Sequence, residues 1–106
     1  MRRLIQLAAT ATVVFLIAAW PASAGGPTVR AVNFDFKPKR VSVTPGDRVT
    51  WKNVEGRHTV TAKKGNFDEV ISGDERVSRT FKEPGTWRYI CRFHVDLGMK
   101  GTVVVG

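Results

Sequence analysis

The stretch Arg40-Val41-Ser42-Val43-Thr44-Pro45-Gly46-Asp47-Arg48-Val49-Thr50-Trp51-Lys52 alternates apolar and polar residues on either side of a Pro-Gly-Asp turn. Successive side chains of a strand point to opposite faces, so Val41, Val43, Val49 and Trp51 share one buried face while their neighbours meet solvent. β-Branched and aromatic residues suit the buried side of a pleated surface, and Pro45-Gly46-Asp47 supplies the turn chemistry. The same period of two returns further on, where Trp87, Tyr89 and Cys91 alternate with Arg88 and Ile90.

Turn signals at Lys37-Pro38, Glu55-Gly56, Lys64-Gly65-Asn66, Ser72-Gly73-Asp74 and Glu83-Pro84-Gly85 cut the rest of the chain into short segments. The pattern predicts strands over residues 28–34, 40–44, 48–53, 58–62, 67–71, 77–81, 86–91 and 101–105, and no helix. Seven or eight short strands without internal repeats fit an all-β, Greek-key β-sandwich.

The first 24 residues have a different composition. Arg2 and Arg3 precede an uncharged stretch over 4–20, and Pro21 leads into the small-residue site Ala22-Ser23-Ala24. These are the three parts of a secretory signal, with cleavage expected after Ala24. The stretch is interrupted by Gln6, Thr10 and Thr12 and is shorter than the ~20 apolar residues of a spanning helix, so no stable membrane insertion is expected after cleavage. Residues 25–106 then form one domain in a periplasm, at a cell surface or outside the cell; a thylakoid lumen also fits.

The formal charge is +8, and removal of Arg2 and Arg3 with the signal leaves +6. A basic balance suits nucleic acid, an anionic membrane surface or an acidic protein. Export and the absence of any nucleic-acid-binding motif exclude the first. One cysteine makes no internal disulfide, and a lone thiol in an oxidising compartment needs a chemical purpose. The domain is expected to be a monomer.

Beyond the signal the chain has two histidines, one cysteine and one methionine, and three of these four lie in Cys91-Arg92-Phe93-His94-Val95-Asp96-Leu97-Gly98-Met99. Each has an ordinary structural role when taken singly: a buried thiol, a surface imidazole, a core thioether, a turn histidine. Together they fit one site. Cys91 ends a strand on the face of Trp87 and Tyr89, and the short loop to the last strand can wrap a metal. His58 follows the Glu55-Gly56 turn and is expected to close the site from the other sheet. A thiolate, two imidazoles and a weak axial thioether are by general rule the blue-copper set for electron transfer. Structural zinc sites rarely use thioether, iron–sulfur clusters need more thiolates, and haem attachment needs a second cysteine.

The run Tyr89-Ile90-Cys91-x-x-His94-x-x-x-Gly98-Met99-x-Gly101, with His58 after Val41-x-Val43-x-x-Gly46-Asp47 and Val49-x-Trp51, resembles the small cupredoxins, specifically those like plastocyanin and pseudoazurin. The resemblance spans nearly the whole chain after the signal. It implies one copper ion cycling between Cu(I) and Cu(II), held by His58, Cys91, His94 and Met99, with the edge of His94 near the surface. Two departures stand out: Arg92-Phe93 where the family often has a small residue and proline, and Thr59 where it often has asparagine. They leave the ligands intact and bear on the hydrogen bonds around them, where the Thr59 hydroxyl is placed to bridge the two ligand segments.

The expected role is shuttling single electrons between redox proteins, with an acidic patch on the partner opposite a basic rim at Arg92 and Lys100. Phe93, Val95, Leu97 and the neighbourhood of Pro38 are candidates for an apolar docking patch around His94. Carriage or storage of copper by the same ligands is the alternative, and a plain adhesion sandwich is a third reading. An enzyme is not expected, because copper oxidases and nitrite reductases need further histidines and none is left over.

Overall fold

The structure is a computed structural model describing residues 26–106; the expected secretory signal lies outside the described residues. Nine strands run in chain order: β1 (Thr28–Val32), β2 (Asp35–Lys37), β3 (Arg40–Val43), β4 (Asp47–Asn53), β5 (Arg57–Ala62), β6 (Phe67–Ser72), β7 (Arg76–Phe81), β8 (Gly85–Ile90) and β9 (Lys100–Val105). They form two sheets, a four-stranded one in the order β2-β1-β4-β7 and a five-stranded one in the order β3-β9-β8-β5-β6. Within them β1 pairs with β4 and β3 with β9 in parallel, so the chain crosses between layers as a β-sandwich requires.

The expected architecture holds, with two local differences. Residues 28–34 do not form one strand: the chain turns at Asn33-Phe34 and returns as β2, giving nine strands where seven or eight were expected. The Asn33 N–H leaves the ladder and donates to Glu55 Oε1 at 3.0 Å, which ties this turn to the one preceding β5. Residues 95–97 form a single 3-10 turn, closed by Gly98 at φ 80°, where a side chain would be strained.

The core follows the alternation read from sequence. Val29, Val41, Val43, Val49, Trp51, Trp87, Tyr89, Val103 and Val105 are all buried between the sheets. Trp51 is its hub, with ring centroids 5.3 Å from Tyr89 and 5.8 Å from Trp87 in edge-on or tilted contacts that aromatic quadrupoles favour. At the end away from Cys91 the Arg79 guanidinium lies over Phe67, Phe81 and Trp87 at 5.4, 5.5 and 5.2 Å, covering the rings with a cation and its apolar stem.

One pairing is short, and the site lies just beyond its end. β5 and β8 are neighbours, yet their register contains only Thr61 opposite Ile90. β8 ends at Ile90, so the start of β5 runs beside the loop that follows β8, with the Thr59 N–H toward Cys91 Sγ at 3.4 Å and the Arg92 N–H on the Thr59 hydroxyl at 2.7 Å.

Candidate metal centre

Cys91 follows β8 directly, and the period of two that buries Trp87 and Tyr89 buries it as well. The nine residues to Met99 are folded by their own backbone. The Cys91 carbonyl accepts the His94 N–H at 3.2 Å, the His94 carbonyl accepts that of Leu97 at 2.9 Å, and the Met99 carbonyl accepts that of Cys91 at 3.0 Å. The last of these brings the two ends of the loop side by side. Met99 is buried with them.

His58 enters from β5. This corrects the expectation that it would close the site from the opposite sheet: β5 lies beside β8 in the same five-stranded sheet. Because β8 ends opposite Thr61, the start of β5 faces the loop after β8, and the His58 imidazole and Cys91 thiol meet at 3.8 Å without spanning the sandwich. Gly56 helps to set the approach, since at its φ of 78° a side chain would be strained, and a Cβ there would collide with the Asn33 side chain and stand 3.2 Å from His58 Nε2.

Three donor atoms converge. His58 Nδ1 and His94 Nδ1 are 3.2 Å apart, and Cys91 Sγ is 3.8 Å from the first and 3.4 Å from the second. A point equidistant from three atoms with these separations lies about 2.0 Å from each, the circumradius of their triangle, which matches the length of a metal–imidazole bond. The donor set therefore fits a single ion.

The outer atoms of the His58 ring confirm which nitrogen is free. Its Nε2 lies 2.8 Å from the Glu55 carbonyl oxygen. A carbonyl only accepts, so Nε2 carries the proton and Nδ1 presents a lone pair to the centre, the arrangement in which a backbone carbonyl fixes a ligand tautomer. Burial pushes the His58 imidazolium below its ordinary 6.5, against the Glu55 carbonyl, which favours the charged form, and with the help of His94 nearby. Both effects of position keep Nδ1 available as a donor.

The thiol is held by Thr59. Its backbone N–H points at Cys91 Sγ at 3.4 Å, and its hydroxyl lies 2.7 Å from the Arg92 backbone nitrogen, which donates to it. The expected bridge between the two ligand segments is thus present. Arg92 is less free than its place on a basic rim required, because its guanidinium makes a fork to Asp68, with Nε to Oδ1 at 2.9 Å and the second contact to Oδ2 at 3.2 Å.

Around His94 lies a set of exposed apolar side chains, with the Arg57 and Arg92 guanidiniums over the Phe93 ring at 4.8 and 5.5 Å. Phe93, Val95 and Leu97 are exposed, Leu97 at 62 %. Phe34 belongs to the same collar, with its ring 4.7 Å from that of His94 and 45 % exposed. Sequence reasoning placed Phe34 inside a strand and so missed it. The bracketing pair Asn33 and Asp35 was the available signal, since both residues favour turns.

A two-sheet sandwich that gathers one thiol and two imidazoles at the mouth of a loop of this kind is a cupredoxin. The sequence profile described as "Copper binding proteins, plastocyanin/azurin family" matches residues 27–106. Chloroplastic plastocyanin of Physcomitrium patens is 36 % identical over 101 residues, covering 79 % of this chain and 60 % of its own length, so the chain spans less than two thirds of that relative. Amicyanin-alpha of Methylorubrum extorquens is 35 % identical over 91 residues, covering 79 % of this chain and 75 % of its own. Among solved structures, a variant of amicyanin in its reduced state superposes with a TM-score of 0.67 at 31 % identity, over 74 % of this chain and 80 % of that one. Another amicyanin variant, in its Cu(I) form, gives 0.68 at 28 % identity over 80 % and 86 %. The chain belongs to the plastocyanin/azurin family of copper-binding proteins, and its cofactor is one copper ion.

Proposed function

We propose that this chain is an exported type 1 copper protein that carries single electrons between redox proteins. The observation that carries this reading is the convergence of two imidazole Nδ1 atoms and one thiol sulfur within 3.8 Å of one another. His58 Nδ1, Cys91 Sγ and His94 Nδ1 would hold the ion, with Met99 as the weak axial group. Bound copper supplies the one-electron couple. The chain supplies the rest: a loop closed by its own hydrogen bonds, a His58 tautomer fixed by Glu55, and a sulfur that accepts the Thr59 N–H. Such fixed donors resist rearrangement when the charge at the centre changes, which is what rapid exchange of an electron needs.

The half-buried edge of His94, inside its collar of Phe34, Phe93, Val95 and Leu97, is the way out for the electron. Copper delivery by the same ligands makes a different spectral prediction. Stoichiometric cupric ion should give an intense blue thiolate-to-copper band that Cys91→Ser abolishes. A colourless one-to-one cupric complex would overturn the electron-carrier reading in favour of carriage.

A further inference from the structure

Cross-strand register sorts the side chains of the five-stranded sheet into rows. Arg40, Thr102 and Arg88 stand abreast across β3, β9 and β8, and Lys100, Ile90, Thr61 and Asp68 stand abreast across β9, β8, β5 and β6. Their strand neighbours Val41, Val103, Trp87 and Tyr89 are buried in the core, so both rows look outward.

This face is hollowed on each side of β8. One hollow, of about 610 Å³, is rimmed by Lys63, Lys64 and Arg88; the other, of about 300 Å³, by Arg40, Arg88 and Lys100. They meet at Ile90, and no carboxylate lines either. Arg92 borders the first but is neutralised by Asp68. Arg40, Lys63, Lys64, Arg88 and Lys100 have no carboxylate within ion-pair distance among the described residues.

The charge balance is lopsided as a result. Outside the signal the chain has fifteen cations and nine acids, a net +6. Five of those charges stand on this one face, and the remaining ten cations and nine acids nearly cancel.

We propose that this outer face, centred on Arg88, is a docking surface for an acidic protein, separate from the apolar collar at His94. The proposal takes from the electron-carrier reading only that the partner is a redox protein. A folded acidic surface can project carboxylates into the two hollows on either side of β8, and low-dielectric walls focus the field there. A membrane is flat and rewards inserted apolar groups, yet Phe34, Phe93, Val95 and Leu97 are on the loops around His94 and not among these cations.

The test uses amide NMR of the Cu(I)-loaded protein titrated with poly-L-glutamate at low salt, alongside phosphatidylglycerol vesicles. Shifts should cluster on β3, β9, β8 and β5 and vanish in about 0.5 M salt, where screening is within a few ångströms. Charge reversal at Arg40→Glu with Arg88→Glu should weaken binding about tenfold or more, given the size of steering effects. The control pair Arg30→Glu with Arg48→Glu makes the same charge change on the other sheet and should alter it less than about twofold. Equal weakening by both pairs, shifts centred on residues 93–97, binding to vesicles alone, or no binding would each overturn the proposal. The blue colour of the same samples after oxidation separates the two readings: a blue protein without a mapped face sinks only the docking surface, and a colourless one with it sinks only electron transfer.

Discussion

The backbone N–H of Arg92 donates to the hydroxyl of Thr59 at 2.7 Å, and this bond is one link of a closed ring. The Thr61 hydroxyl is 2.7 Å from Asp68 Oδ1 and 2.9 Å from the Thr59 hydroxyl. Thr61 has one hydroxyl proton and the carboxylate only accepts, so that proton goes to Asp68. The same hydroxyl also faces the Thr59 hydroxyl, so Thr61 stands between Thr59 and Asp68. The ring closes where the Arg92 guanidinium meets the same carboxylate. Arg92 is thereby held at its backbone and at its side chain, and Cys91 beside it is fixed in turn.

Thr59→Val should expose the value of this link. The change keeps the shape of the side chain and the N–H that faces Cys91 Sγ, but strands the part-buried N–H of Arg92. A donor left without a partner costs about 1–3 kcal/mol. Chemical denaturation of the copper-free protein should show a loss in that range, and Thr59→Ser should recover most of it. If valine costs no more than serine, the hydroxyl does not hold the loop.

The Asp68 carboxyl gives the ring a pH dependence. The Arg92 hydrogen bonds first, and the Thr61 hydroxyl second, hold it below its ordinary 3.8. With the folded value below the unfolded one, its contribution is complete above the unfolded value and disappears as pH falls through the folded one. Asp68 is exposed, so the contribution is small. Asp68→Asn should flatten the stability profile below about pH 4 and leave it unchanged near neutrality. An unaltered acid limb would show that the fork to Arg92 adds nothing.

The contrast between Cys91 and His58 shows how far sequence could reach. Cys91 was legible because a strand period continues unbroken from Trp87, and because the loop to Met99 is local. The same holds for Val41, Val43, Val49 and Trp51, whose burial depends on alternation alone. The sheet to which His58 belongs was not legible. It depends on the order of strands, and the alternation at Val60 and Ala62 reads identically in either sheet. Phe34 was lost for a related reason: the preference of Asn33 for a turn had to outweigh a run of residues that suits a strand. The outward rows of cations were invisible as a face, since Arg40, Lys63, Arg88 and Lys100 are brought together only by pairings between distant strands.

Met99 offers a test of the axial position. It is buried, and its carbonyl accepts the Cys91 N–H. An axial thioether binds weakly but tunes the potential. Met99→Leu should retain copper and raise the potential, because an apolar group favours the lower charge of Cu(I). Met99→Gln should lower it by offering oxygen to Cu(II). Cyclic voltammetry of the two variants decides the matter, and a potential unmoved by either would remove Met99 from the site.

The other end of the metal loop is braced by Tyr89 lying against Gly101. The two are paired across β8 and β9, and both are buried. A Cβ at Gly101 would collide with the Tyr89 hydroxyl and Cζ and stand 2.9 Å from Cε1. The ring has nowhere to retreat, since Phe36 and Trp51 lie on it with centroids at 4.8 and 5.3 Å. Gly101→Ala must therefore push β9 away from β8, at a cost of about 1–3 kcal/mol for an overpacked core. Met99 and its hydrogen bond to Cys91 sit two residues upstream, so the blue band should shift as well as the denaturation midpoint. Tyr89→Phe removes the hydroxyl but leaves both close ring carbons, Cζ and Cε1, and should relieve Gly101→Ala only in part. Tyr89→Leu removes the ring and should relieve it more, although it leaves a cavity of its own. A double-mutant cycle over Gly101→Ala and Tyr89→Leu isolates the collision from that cavity. A favourable coupling of about 1 kcal/mol or more supports the brace, whereas additive losses would mean that alanine at 101 damages the fold by another route.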